Sequence, residues 1–319
     1  MAQLGFHASH ELYAPSRLLA LVQQAERAGF RAAMCSDHFH PWTERQGHSG
    51  FAWSWLGAAL EATSLSLGTV CAPGQRYHPA IIGQAAATLA EMYPDRFWLA
   101  VGTGEALNES ITGDEWPDKA ARRARLMECV FIMRALWAGE EVTHYGSVRV
   151  RRAKLHTLPA KPPLILGAAI TEDTAEWVGG WADALVTVGN KTEDLRKVVR
   201  AFREGGGEHK PMFLQASLSY APTPAEATRA AWEHWPVSTL DPDKLDALTT
   251  PQEFTAALQG HSMHEIEDKM RISSDLQRHI DWLHADFELG FDTVYLHHVG
   301  PNIERFVQIF GEKVVPHFR

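Results

Sequence analysis

Short apolar runs alternate along the chain with longer stretches in which apolar positions recur at helical spacing. The runs read as strands are Leu4-His7, Ala32-Ser36, Leu67-Cys71, Phe97-Val101, Leu164-Gly167, Ala184-Val188, Met212-Ser219 and Thr293-His297. They are predominantly apolar runs of strand length, the pattern of buried strands. Helices are expected to begin near Pro15, Phe51, Pro79, Pro117, Thr171, Thr192, Pro224 and Ser274. Proline suits the first helical turn because the N–H it lacks would have no partner there. Strand followed by helix, repeated throughout, implies parallel strands joined by helical crossovers. Eight such units favour a closed (β/α)8 TIM barrel over an open doubly wound sheet, with residues 1–319 forming one domain. Two stretches break the rhythm. Glu140 to Leu158 reads as a hairpin around Tyr145-Gly146, inserted after the fourth strand and its helix, and Pro236 to His264 reads as an insertion after the seventh strand. Long connections in compact domains serve as lids or binding loops, so the second is expected over the barrel mouth.

Composition narrows the class. Over 319 residues, 45% hydrophobic and 22% charged content is ordinary for a folded soluble protein. No apolar segment has the length of a membrane helix, and the N-terminus enters a strand without a leader pattern, so a cytoplasmic protein with no membrane partner is expected. The net charge of -9 disfavours nucleic acid, and the densest cationic cluster, Arg149, Arg151, Arg152 and Lys154, flanks the hairpin. Cys35, Cys71 and Cys129 contain no CxxC pair and read as buried small apolar residues. His7, His10, His38, His40 and His48 crowd the first strands, but none has HExxH spacing, and no metal is expected. Gly102-Thr103-Gly104 lacks the last glycine of GxGxxG because Leu107 stands there, so it is not a dinucleotide fingerprint.

The polar residues past the strand ends carry the chemistry. His7, Ser9, His10 and Glu11 follow strand one, Asp37 and His38 strand two, Cys71-Ala72-Pro73-Gly74 strand three, and Thr103, Glu105 and Asn108 strand four. In a parallel barrel these ends share one mouth. A histidine beside carboxylates can act as general base or acid near neutrality, with Glu105 as complementary partner to His38. Adjacent residues of a strand point to opposite sides, so Asp37 and His38 can do different jobs only if the strand ends between them. Trp42 could wall a flat ring, whereas Trp53 and Trp55 read as packing.

At these motifs the sequence resembles the luciferase-like superfamily of flavin and deazaflavin oxidoreductases, in the branch similar to F420-dependent glucose-6-phosphate dehydrogenase. The matching residues are Ala8-Ser9 with Glu11, Ser36 to Trp42, Arg76-Tyr77 with Pro79, Gly102 to Glu109, and Trp116-Pro117. The resemblance implies a barrel with the cofactor ring in its mouth and hydride transfer between a small organic substrate and that ring. By position, His38 would be the base and Glu105 the acid, with Glu11 nearby and Trp42 steadying the reacting centre. Cofactor contacts would come from Asp37, Val70, Cys71, Ala72, Thr103, Gly104 and Asn108, and from Ala168, Ala169 and Ile170. Two departures bear on the cofactor: Val70-Cys71-Ala72 is one residue shorter than in the family, and Ala168-Ala169-Ile170 replaces a phosphate-holding glycine pair. They place FMN slightly ahead of F420. A sugar-phosphate pocket is not expected, since only Lys191 and the region of Asp268-Lys269 loosely match its lysines and Val188 replaces a threonine. The same-fold alternative is an FMN-dependent monooxygenase using oxygen. Alternatives of other classes are a non-catalytic flavin or metabolite binding protein and metal-dependent hydrolysis on a barrel. The resemblance also implies a homodimer.

Overall fold

The computed structural model describes residues 2–241 and 245–318. Its strands are β1 (Gln3–Ala8), β2 (Ala32–Ser36), β3 (Ser66–Cys71), β4 (Phe97–Val101), β5 (Val142–Tyr145), β6 (Arg149–Ala153), β7 (Leu164–Ala168), β8 (Ala184–Val188), β9 (Met212–Tyr220), β10 (Arg271–Ser273) and β11 (Thr293–His298). β1, β2, β3, β4, β7, β8, β9 and β11 pair in parallel and close, β11 onto β1, as an eight-stranded barrel. These are the eight apolar runs of the sequence. β10 adds to the far end of β9, and β5 and β6 form the expected antiparallel hairpin.

Alternation along each stave divides its side chains. Leu67, Phe97, Leu99, Val101, Ile165 and Leu185 turn outward into the main core beneath the helices, while Ala32, Met34, Trp98, Leu166, Val186 and Tyr295 fill the interior. Trp98, Phe213 and Tyr295 plug it with ring centroids 5.4 to 5.9 Å apart. Glycine makes room for that plug: a Cβ on Gly5 would collide with the Tyr295 ring, and one on Gly68 with Trp98. The interior is therefore a packed floor, and chemistry is confined to the end above it.

Helices α1 (Pro15–Arg27), α2 (Ala52–Ala62), α3 (Pro79–Met92), α4 (Ala106–Glu109), α5 (Lys119–Trp137), α6 (Glu172–Gly179) and α7 (Thr192–Phe202) follow the staves. α1 buries Leu18, Leu21, Val22 and Ala25, a single stripe at helical spacing, and carries proline in its first turn. Helix α8 (Pro224–His234) begins at the expected proline. It opens the insertion after β9, and the helix Leu276–Glu288 makes the return to β11.

The insertion, expected only as a loop over the mouth, is helical. It contains a 3-10 turn (Pro236–Thr239), a helix (Pro251–Ala257) and a second 3-10 segment (Met263–Asp268). Thr250 and Glu253 cap the middle helix reciprocally, a signal present in the sequence. Of its prolines, Pro242 lies outside the described residues. Val237, Leu240 and Phe254 bury against Leu107 with Trp42 and Trp235 at the edge, and Arg122 of α5 holds Asp246 through two hydrogen bonds of 2.9 and 2.8 Å. The insertion thus packs on the loops at the C-terminal strand ends. Among the described residues, no helix is long and apolar enough to cross a membrane.

Candidate active site

β2 ends at Ser36, so Asp37 and His38 lie beyond the strand and turn to different neighbours. His38 Nε2 stands 3.6 Å from Glu11 Oε1 and 3.8 Å from Glu105 Oε2. Both separations exceed a hydrogen bond and suit an ion pair once the imidazole is protonated. Glu11 follows β1 and is buried; its Oε2 accepts from Ser9 Oγ at 2.6 Å and Ser36 Oγ at 2.7 Å. Burial alone would raise its pKa, but the His38 charge and these two hydroxyls outweigh it and hold Glu11 below the usual carboxylate range. Glu105, at the start of α4, is pushed the other way by burial, against the opposing pull of His38 and a 3.2 Å bond from Asn108 Nδ2. Its side chain keeps 45% of its accessible surface, facing the mouth even though protein crowds the carboxyl. One imidazole therefore lies between a carboxylate held ionised and a carboxyl inclined to keep its proton, the division of labour that acid–base chemistry needs.

Asp37 and Asn108, expected against the ring, spend their polar atoms inside the chain. Asp37 Oδ1 accepts from Tyr77 Oη at 2.8 Å and Oδ2 lies 3.4 Å from Arg76 Nη2, leaving the side chain 1% accessible. Asn108 Oδ1 accepts from the N–H groups of Phe39 (2.8 Å) and His40 (3.2 Å), tying the turn after His38 to the turn that holds Glu105. Cys71 turns outward into the main core, and the Ala169 N–H donates to Val186 O at 3.1 Å. Val70, Thr103 and Ala168 are partly accessible at the mouth, and Ile170 is exposed beside them. Gly104 has φ +87°, and a Cβ there would press on Glu109, Ala72 and Trp116, so the bend that presents Glu105 requires glycine.

Trp42 lies against His38 (centroids 5.0 Å) and Phe254 of the insertion (5.3 Å). Trp53 and Trp55 pack as expected, Trp55 Nε1 donating to Pro15 O at 3.1 Å. Below them His7 of β1 and His297 of β11 meet at 4.4 Å, and Trp235 stands edge-on to His297 at 4.5 Å. Burial keeps these imidazoles neutral: the His297 pKa falls to about 4, and His7 is lowered well below its ordinary value. His297, Trp235, Arg76 and Glu109 carried no role in the sequence reading; Arg76 and Glu109 were marked only as parts of the family-matching stretches.

Other parts of the mouth are different in character. Val70, Gly102 and Ala168, at the ends of β3, β4 and β7, are small residues left partly accessible; Ile170 and Val188, past β7 and at the end of β8, are 61% and 44% exposed, and Phe39, next to His38, is 53% exposed. Exposed apolar side chains gathered at one opening mark a ligand site, and small residues beneath them suit a flat ring. A cleft of about 210 Å³ beside Arg17, Arg45 and His234, and another of about 440 Å³ at the barrel's other end around Phe30 and Phe318, contain no such acid–base set.

The model of the luciferase-like monooxygenase family matches residues 2–293. The F420-dependent glucose-6-phosphate dehydrogenase of Segniliparus rotundus is 34% identical over 331 residues, covering 99% of this chain and 98% of the relative. That of Mycobacterium tuberculosis is 33% identical over 330 residues, with 99% and 98% covered. A solved F420-dependent secondary alcohol dehydrogenase in complex with an F420-acetone adduct superposes with a TM-score of 0.92 at 30% identity, covering 99% of both chains.

Proposed function

The chain belongs to the luciferase-like monooxygenase family, and on that premise we propose that this flavin-type oxidoreductase is an F420-dependent alcohol dehydrogenase with His38 as base and Glu105 as acid. The observation that carries the reading is the placement of His38 between Glu11 and Glu105, whose proton affinities burial and hydrogen bonding drive apart. The sequence-based preference for FMN gives way, because relatives matched over nearly their full length are named for F420.

When bound, a deazaflavin ring supplies the hydride acceptor. Everything else falls to the chain. His38 Nε2 takes the hydroxyl proton as the alcohol carbon gives up its hydride, leaving a carbonyl compound. Glu11, ionised 3.6 Å away, stabilises the imidazolium that forms. Glu105, whose carboxyl burial shifts toward the protonated form, would supply the proton that the reduced ring takes up with the hydride. Trp42 walls the reacting centre, and the helical insertion, seated on Trp42 and Leu107, excludes water. Val70, Gly102, Ala168, Ile170 and Val188 would hold the ring.

The substrate is an uncharged secondary alcohol: the rim it meets carries Phe39, Ile170 and Val188. Glucose 6-phosphate is the competing reading, favoured by one contact, Asn190 Nδ2 to Lys269 O at 2.8 Å, which brings the loops of Lys191 and Lys269 together. The assembly is taken as a homodimer, which sedimentation equilibrium checks. Titration of the apoprotein with F420 and with FMN, followed by fluorescence, tests the assignment. Saturable F420 binding at least about tenfold (~1.4 kcal/mol) tighter than FMN is expected, with turnover of 2-propanol exceeding that of glucose 6-phosphate. Equal, weak binding of both cofactors rejects it.

A further inference from the structure

His38 and Glu105 do not hydrogen-bond to each other; 3.8 Å separates them, so their spacing is set by the loops that carry them. Arg76, in the turn after β3, lies between those loops. Its Nη2 donates to the backbone oxygen of Asp37 at 3.0 Å, on the peptide that leads into His38. Its backbone N–H and Nε donate to the Glu109 carboxylate at 2.8 and 3.3 Å, and the Glu109 N–H in turn donates to Glu105 O at 3.1 Å. The guanidinium also lies over the Tyr77 ring at 4.2 Å.

The side chains of Arg76, Asp37 and Glu109 are 8%, 1% and 2% accessible. Burial raises both carboxyl pKa values and Arg76 opposes the rise, so one cation is shared between two buried acids. A planar fork that reaches two carboxylates and a carbonyl at once is a task lysine cannot reproduce. Resting on the function proposed above, we infer that Arg76 is a positioning residue for proton transfer: it braces the His38 loop against the Glu105 turn and holds the pair across the mouth.

The test uses Arg76→Lys and Arg76→Met, with Glu109→Gln, which keeps the shape and removes one charge, in case the first two fail to fold. Each is measured for kcat, for KM, for F420 affinity, and by crystallography of the apoprotein. A misplacement on the order of 1 Å is expected to lower kcat by about 10²-fold in the Arg76 variants, with KM and F420 affinity within about threefold. The His38–Glu105 separation should widen beyond its present 3.8 Å. Glu109→Gln should give a smaller change of the same kind. A purely structural Arg76 would lower Tm and leave kcat at the wild-type value; that result, or an unchanged separation in every variant that folds, overturns the inference. If the wild type itself fails to turn over with F420, the function falls instead, and the crystallographic separation still decides the brace.

Discussion

Around the ends of β1, β2 and β4, the carboxylates and the Asn108 amide are hydrogen-bonded within the chain, while imidazole nitrogens of His7, His10 and His38 are buried without a partner. Glu11 takes two hydroxyls, Asp37 a phenol and a guanidinium, and Asn108 two backbone N–H groups. Across the mouth, at the ends of β7 and β8, Ala168 is small and Ile170 and Val188 stand exposed. The first side is organised before any ligand arrives, and its burial is repaid in shifted proton affinities. The second offers shape and apolar surface. Under the proposed function, chemistry and cofactor binding fall to different walls of one opening, and substitutions should separate them.

The sharpest separation is expected from His38→Ala. Loss of a positioned base lowers kcat by about 10³-fold, while F420 affinity, measured by fluorescence titration, stays within about twofold. A parallel fall in affinity would dissolve the distinction between the walls. The converse comes from Ala168→Leu, which fills the space under the exposed rim. F420 affinity should drop about 100-fold, or about 2.7 kcal/mol, with Tm nearly unchanged; wild-type affinity would place the ring elsewhere.

Acid should attack the charged wall through its floor. His10 and His297 are held neutral in the fold chiefly by burial, each with its pKa lowered from 6.5 to about 4, and His7 is lowered well below its ordinary value by the same cause. The unfolded chain therefore binds protons the native state refuses. Stability is complete above pH 6.5 and is lost as pH falls toward about 4, at up to about 1.4 kcal/mol per pH unit for each such histidine. Urea midpoints measured between pH 7 and pH 5 should fall steadily; a flat profile would mean these imidazoles are not buried neutral.

Much of this mouth was legible before any coordinates. The strands announced themselves as apolar runs bounded by proline-led helices, and His38, Glu105, Glu11 and Trp42 stand at the strand ends where they were expected. The internal partners of Asp37 were not legible, because a sequence shows that an acid precedes His38 but not that Tyr77 and Arg76 will close on it. For the same reason the sequence did not show that Asn108, expected as a cofactor contact, also ties the turn after His38 to the Glu105 turn. The helical insertion was read only as a loop, although the Thr250 and Glu253 cap was there to be found.

By itself the sequence determined the barrel, the end that bears the chemistry, and the residue types gathered there, since hydrophobic period and turn punctuation are properties of neighbours along the chain. Only the tertiary structure decided in which direction each carboxyl's proton affinity is shifted and which loops the Arg76 guanidinium joins. Glu11, His38, Arg76, Glu105 and Glu109 come from separate segments, and proton affinity and spacing depend on burial and on charges a few ångströms away, whatever their distance in sequence.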